Sequence, residues 1–190
     1  MTPFHLATAL AALGGVFAVV AAWLPTSSSG TSTEAAELVT VYDLAPDLAQ
    51  GIADTARAIG VPARWLADLI SFESAGFDAQ AVNPISGASG LIQFMPNTAR
   101  ELGTTVEAIR QLSAVEQLPL VQRYFELPRI KQYGALGSRL DLYMAVFYPR
   151  AIGQGAAYTF PASVQASNPG IATAGDYRDY VNRRAERYAK

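Results

Sequence analysis

One carboxylate in this chain stands where a carboxylate is costly. Residues 69–99 read LISFESAGFDAQAVNPISGASGLIQFMPNTA, and Glu73 falls at the end of an apolar helical stripe formed by Trp65, Leu66, Leu69 and Ile70. A carboxyl in that register loses water, which penalises its charged form and raises its pKa. The last turn of a helix pushes the same way, because its free carbonyls carry partial negative charge. Both effects favour an acid that keeps its proton near neutral pH, the property needed to protonate a glycosidic oxygen whose alkoxide is too basic to leave alone. A glutamate that swings into solvent, or that pairs with an arginine, fits the same position.

The segment after Glu73 is built for sharp turns. Asn83-Pro84 and Gly87-Ala88-Ser89-Gly90 bend the backbone, and the run from Leu91 to Pro96 places one amide, Gln93, among apolar side chains. Exposed loop backbone and a few aimed polar groups over apolar surface suit a sugar cleft. An amide that caps its own loop is the structural alternative.

Composition narrows the chemistry. The 190 residues include no cysteine and a single histidine, His5, which excludes disulfides, zinc clusters, cysteine nucleophiles and histidine-dependent serine hydrolysis. No metal or other cofactor is expected. A net charge of −2 with both signs interspersed excludes the basic field of a nucleic-acid binder. With 51% hydrophobic and 16% charged residues, the chain suits one globular domain plus an apolar appendage.

The elements that must position Glu73 are helices. Apolar spacing and caps predict helices over 46–60, 62–73, 96–102, 105–112, a segment opened by the capping-box pattern Ser113-Ala114-Val115-Glu116, then 124–133, 139–147 and 176–189. No stretch alternates as a strand would. Long irregular loops are expected at 76–95 and 148–175, a length that in a compact domain marks function.

Charge divides the chain. Residues 1–33 carry no Asp, Glu, Lys or Arg, and residues 6–24, LATALAALGGVFAVVAAWL, form a 19-residue apolar run, about enough to cross a bilayer as a helix. It reads as a removed signal, a membrane-inserting segment or a helix buried in an assembly. No basic n-region precedes it and no small-x-small cleavage site follows, so retention is expected. The Gly14-Gly15 pair and the alanines permit close helix packing. The resulting plan is an apolar N-terminal helix over 1–25, a flexible polar linker over 26–42 beginning TSSSGTSTEAAE, and a catalytic domain over 43–190.

The pair Glu73-Ser74, followed by GASGLIQFMPNTA from Gly87 to Ala99, resembles the first two signature motifs of the lytic transglycosylases related to goose-type lysozyme. The specific part of the likeness is residues 70–103, within a broader similarity over 46–188. Phe94 after the glutamine, and LYMAVFYP later, are similar to the bacteriophage branch. The resemblance implies a mainly α, lysozyme-like helical domain carrying an N-terminal apolar helix. It makes Glu73 the single acid/base. It makes Ser74, Gln93 and Met95 substrate contacts, and gives Gly90 and Leu91 the loop's shape. DYRDYVNR resembles the final motif and makes Tyr180 a cleft candidate. The third motif, Ala-Tyr-Asn-Ala-Gly in many bacterial members, is replaced by Tyr143 to Pro149 without an asparagine, leaving Tyr143 and Tyr148 as open choices for its tyrosine.

The activity so implied is cleavage of the β-1,4 bond between N-acetylmuramic acid and N-acetylglucosamine in peptidoglycan, with 1,6-anhydromuramic acid as product. The expected partners are glycan strands and other virion or envelope-assembly proteins, with possible membrane insertion through residues 6–24. The expected address is a phage virion acting in the host periplasm, or else a bacterial inner membrane with the domain facing the periplasm. Two other readings stay open. Asp78 across a cleft would make an inverting muramidase, and the fold without activity would make a structural component of a virion or secretion channel.

Overall fold

The computed structural model describes residues 32–185. The apolar run at 6–24 lies outside them, and among the described residues no helix is long and apolar enough to cross a membrane. The described chain is helical: α1 Thr33–Tyr42, α2 Pro46–Ile59, α3 Ala63–Glu73, α4 Pro96–Glu101, α5 Val106–Ile109, α6 Ala114–Glu126, α7 Pro128–Lys131, α8 Arg139–Phe147, α9 Ala162–Ser167 and α10 Ala174–Ala185. Its only β pairing is three isolated antiparallel bridges.

The order follows the expected pattern with four differences. The chain read as a linker up to residue 42 contains α1, which is capped by Ser32 accepting from Ala35 N–H at 3.2 Å and buries Ala35, Leu38 and Tyr42. Its polar residues are the solvent face of a short amphipathic helix. The helix expected over 124–133 is two pieces, because Tyr124 lies in the last turn of α6, which ends at Glu126, and Pro128 forces an extended residue at Leu127, φ −56° and ψ 135°. The helix expected over 105–112 shrinks to the four residues of α5. The stretch 148–175 holds a 3-10 turn, Pro149–Ala151, and α9.

Helix α2 is the centre of the packing, with α1, α3 and α6 around it. Its close contact with α6 depends on Gly51, where an added Cβ would lie 2.6 Å from Leu118 Cδ1. The core they share is built from Leu38, Ile52, Leu66, Leu69, Ile70, Leu118 and Val121, all fully buried. The capping box at the start of α6 is formed, with Glu116 accepting from Ser113 N–H at 2.8 Å. Helix α3 carries Glu73 at its end and is flanked by α8 and α10, which supply tyrosines to the same region.

Candidate active site

Glu73 is the last residue of α3, and the chain leaves it by an unusual route. Ser74 caps the helix, and Gly76 N–H bonds back to the Ser71 carbonyl at 2.9 Å, which closes a Schellman turn. Ala75, Gly76 and Phe77 then take left-handed conformations in succession, with φ of 53°, 98° and 69°. Two of the three carry side chains, so the turn stores backbone strain of the kind that persists when surrounding structure enforces it. Part of that enforcement comes from α1, whose Tyr42 ring meets Phe77 edge-on at 5.2 Å.

Glu73 keeps some surface open to solvent, yet its carboxyl is closely surrounded by protein atoms. Burial pushes the carboxyl up from its ordinary 4.5 to about 8, and the Tyr177 hydroxyl, which donates to it, pulls it part of the way back. Among the described residues Glu73 has no ion-pair partner, so the arginine-paired alternative does not hold. The Tyr177 phenol is itself raised well above its usual range, first by burial and then by the adjacent carboxyl.

Tyr177 is the residue the sequence reading missed. It is buried on α10, stacked on Phe147 of α8 at 4.0 Å and 17°, and edge-on to Phe72 at 6.4 Å. Ala174, Tyr177 and Val181 form the buried stripe of α10, a spacing visible in the sequence. Tyr180, the expected cleft residue, is half-buried beside it. It packs edge-on against Phe72 at 5.9 Å and accepts from Arg184 Nη1 at 2.8 Å.

The loop after Glu73 is a hydrogen-bonded set of tight turns. Ser89 and Phe94 exchange both backbone bonds at 3.1 and 2.8 Å, and Gly90 N–H reaches the Ala81 carbonyl at 2.9 Å. Leu91 is core. Gly90 has φ +78°, and an added Cβ there would lie 2.4 Å from Gln117 Oε1. Gln117 cannot yield that space cheaply. Its buried amide accepts from Leu91 N–H at 2.9 Å and donates to the carbonyls of Ala79 at 2.7 Å and Ile109 at 3.1 Å, which joins the loop, α5 and α6. The loop meets the Glu73 neighbourhood through Phe94, edge-on at 6.4 Å to Tyr124, whose phenol feels the Glu73 charge.

Gln93 and Met95 stand on the outside of this loop. Gln93 has φ 52° and is half-buried, with Nε2 donating to the Gly90 carbonyl at 3.2 Å and Oε1 left without a partner among the described residues. Met95 is 47% exposed. Two expected substrate contacts are turned inward instead. Ser74 is fully buried with its hydroxyl donating to the Ile70 carbonyl at 2.6 Å at the helix end. Tyr143 is fully buried, its phenol pushed up to about 12 chiefly by burial, while Tyr148 is half-buried at the surface. Asp78 is exposed and accepts from Gln80 N–H at 2.8 Å in a local turn.

Comparison with known proteins reaches the same stretch. No curated protein matches the chain. Residues 51–117 match the family model of the transglycosylase SLT domain, a span that runs from the close contact at Gly51 through Glu73 and the turn-rich loop to the buried amide of Gln117. That match supports a peptidoglycan-degrading function of the lytic transglycosylase type, on a helical domain of the lysozyme-like superfamily.

Proposed function

We propose that this chain cleaves the β-1,4 bond between N-acetylmuramic acid and N-acetylglucosamine without water as the nucleophile. The observation that carries the reading is a glutamic acid at the end of α3 whose burial holds its proton to about pH 8, which touches one tyrosine and, among the described residues, has no second carboxylate close enough to disturb it. Glu73 donates its proton to the glycosidic oxygen as the bond to the anomeric carbon breaks, and the substrate's own acetamido group stabilises the positive charge there. The resulting carboxylate accepts the proton of the muramoyl C6 hydroxyl, and the C6 oxygen closes on the anomeric carbon to give the 1,6-anhydro ring. One carboxylate suffices because the nucleophile is held within the substrate. The Tyr177 hydroxyl stabilises the carboxylate between the two transfers. Asp78, exposed and occupied in its own turn, offers no support for an inverting muramidase.

The phage-type residues of the third motif suggest a virion component that opens the host wall locally for genome delivery. A mass spectrum of purified virions that lacks the chain removes that setting. The chemistry is tested by digesting purified sacculi and analysing the products by mass spectrometry. Anhydro ends are expected, and none with Glu73→Gln. Reducing ends mean water is the nucleophile, and equal digestion by the variant removes Glu73 from the mechanism.

A further inference from the structure

Three tyrosines from separate segments meet at one surface. Tyr148, at the end of α8, lies 6.2 Å from Tyr158 with the rings tilted by 35°, and both rest edge-on against buried Phe160, at 5.5 and 5.8 Å. Tyr133, just beyond α7, bonds through its hydroxyl to the guanidinium of Arg150 in the 3-10 turn. All three rings are half-exposed, Arg150 is exposed, and Arg150 pairs with no carboxylate among the described residues.

The platform is fixed in place. The Tyr158 carbonyl accepts from Ala174 N–H, the first residue of α10, at 2.9 Å, and Phe160 N–H donates to the Ala172 carbonyl at 2.9 Å. It is also continuous with the acid. Phe160 meets Phe147 at 5.3 Å, Phe147 stacks on Tyr177, and Tyr177 bonds Glu73. An unbroken run of rings therefore leads from the catalytic candidate to a surface with aromatic faces, phenolic hydroxyls and an available guanidinium fork. Aromatic faces cover the apolar face of a sugar ring, and a guanidinium grips a carboxylate through two parallel bonds.

We propose that Tyr133, Tyr148, Tyr158 and Arg150 form an accessory subsite for a sugar unit bearing a carboxylate, with Arg150 as the anion contact. The inference rests on the peptidoglycan reading above and deepens it. The carboxylate is either the lactyl group of a muramic acid without its peptide or one belonging to a stem peptide.

The test measures binding by calorimetry, in the Glu73→Gln background so that no ligand is consumed. Three oligomers of equal length serve as probes: one of N-acetylglucosamine alone, one peptide-free peptidoglycan strand, and one strand with stem peptides. Adding Arg150→Gln is expected to weaken a carboxylate-bearing probe about tenfold and leave the neutral one unchanged. Loss with the peptide-free strand assigns the lactyl group, and loss with the stem-bearing strand alone assigns the peptide. Tyr158→Leu is expected to weaken all three. Unchanged affinities with Arg150→Gln, equal losses for all three probes, or no binding of either carboxylate-bearing probe overturn the proposal. Sacculus digestion by the wild-type chain reads the underlying activity separately, so a failed subsite and a failed enzyme are told apart.

Discussion

Helix α3 carries two carboxylates withdrawn from solvent, five residues apart, in opposite surroundings. Asp68 is ion-paired with Arg64 Nε at 3.2 Å and Arg139 at 3.1 Å and accepts from the Tyr42 hydroxyl, so it joins α1, α3 and α8. Among the described residues Glu73 has a tyrosine and no cation. Two guanidinium groups and a phenol converge on Asp68, which holds three helices together. The lack of any cation makes Glu73 a proton store. One helix thus supplies a structural pin and the proposed acid, and the difference lies in what the neighbouring helices present to each.

The contrast predicts that equivalent neutralisations have different outcomes. Glu73→Gln is expected to lower the rate of sacculus digestion by a factor of roughly 10²–10⁴ with the fold intact by circular dichroism. Asp68→Ala is expected to cost about 2–4 kcal/mol of stability in urea unfolding, because it leaves the Arg139 guanidinium and the buried Tyr42 phenol without their acceptor and Arg64 with Glu37 alone, at 3.6 Å. A stable, active Asp68→Ala chain would dissolve the distinction.

The finer part of the comparison is the tyrosine. Tyr177→Phe removes a bond that favours the Glu73 carboxylate, so the Glu73 pKa rises. The wild-type kcat/KM is expected to fall above about pH 8 as the acid loses its proton. In the variant that fall moves to higher pH, with activity near neutrality about tenfold lower. An unmoved alkaline limb would show that Tyr177 does not act on Glu73.

The same pKa makes stability depend on pH. The folded state holds the Glu73 proton up to about 8 whereas the unfolded chain releases it near 4.5, so between these values the native state binds more protons. Stability is therefore lost as pH rises through that window, with a slope of up to about 1.4 kcal/mol per pH unit. Glu73→Gln should flatten this contribution in thermal melts at pH 5 to 9. The smallest effect concerns the strained exit from α3: Ala75→Gly relieves a left-handed alanine and should raise stability by about 0.5–1 kcal/mol.

Glu73 and its loop were legible because both break local patterns. A carboxylate on an apolar stripe and a glycine cluster around one amide are departures from what folding alone would choose. The residues that hold them were less visible. Gln117 reads as one polar residue near the start of a capped helix, and only the turn of α6 reveals that it faces Gly90 and Leu91. Tyr177 and Tyr180 share one short motif, and a difference of three residues decides which meets the acid. Helix α1 hid behind its serines and threonines, since its buried stripe of Ala35, Leu38 and Tyr42 is too short to stand out from a polar linker. Ser74 and Tyr143 point inward because α3 and α8 pack on the faces that carry them.

The contacts of Tyr42 give α1 a mechanical meaning. Its phenol bonds Asp68, its ring lies under the Arg64 guanidinium at 5.1 Å and against Phe77, and Phe77 ends the strained turn that leaves Glu73. At its other end α1 is tied to α2, where Ser32 N–H donates to Gln50 Oε1 at 2.9 Å. The packing of α1 and the shape of the turn after Glu73 are therefore coupled, and peeling α1 away would release Phe77 and slacken that turn.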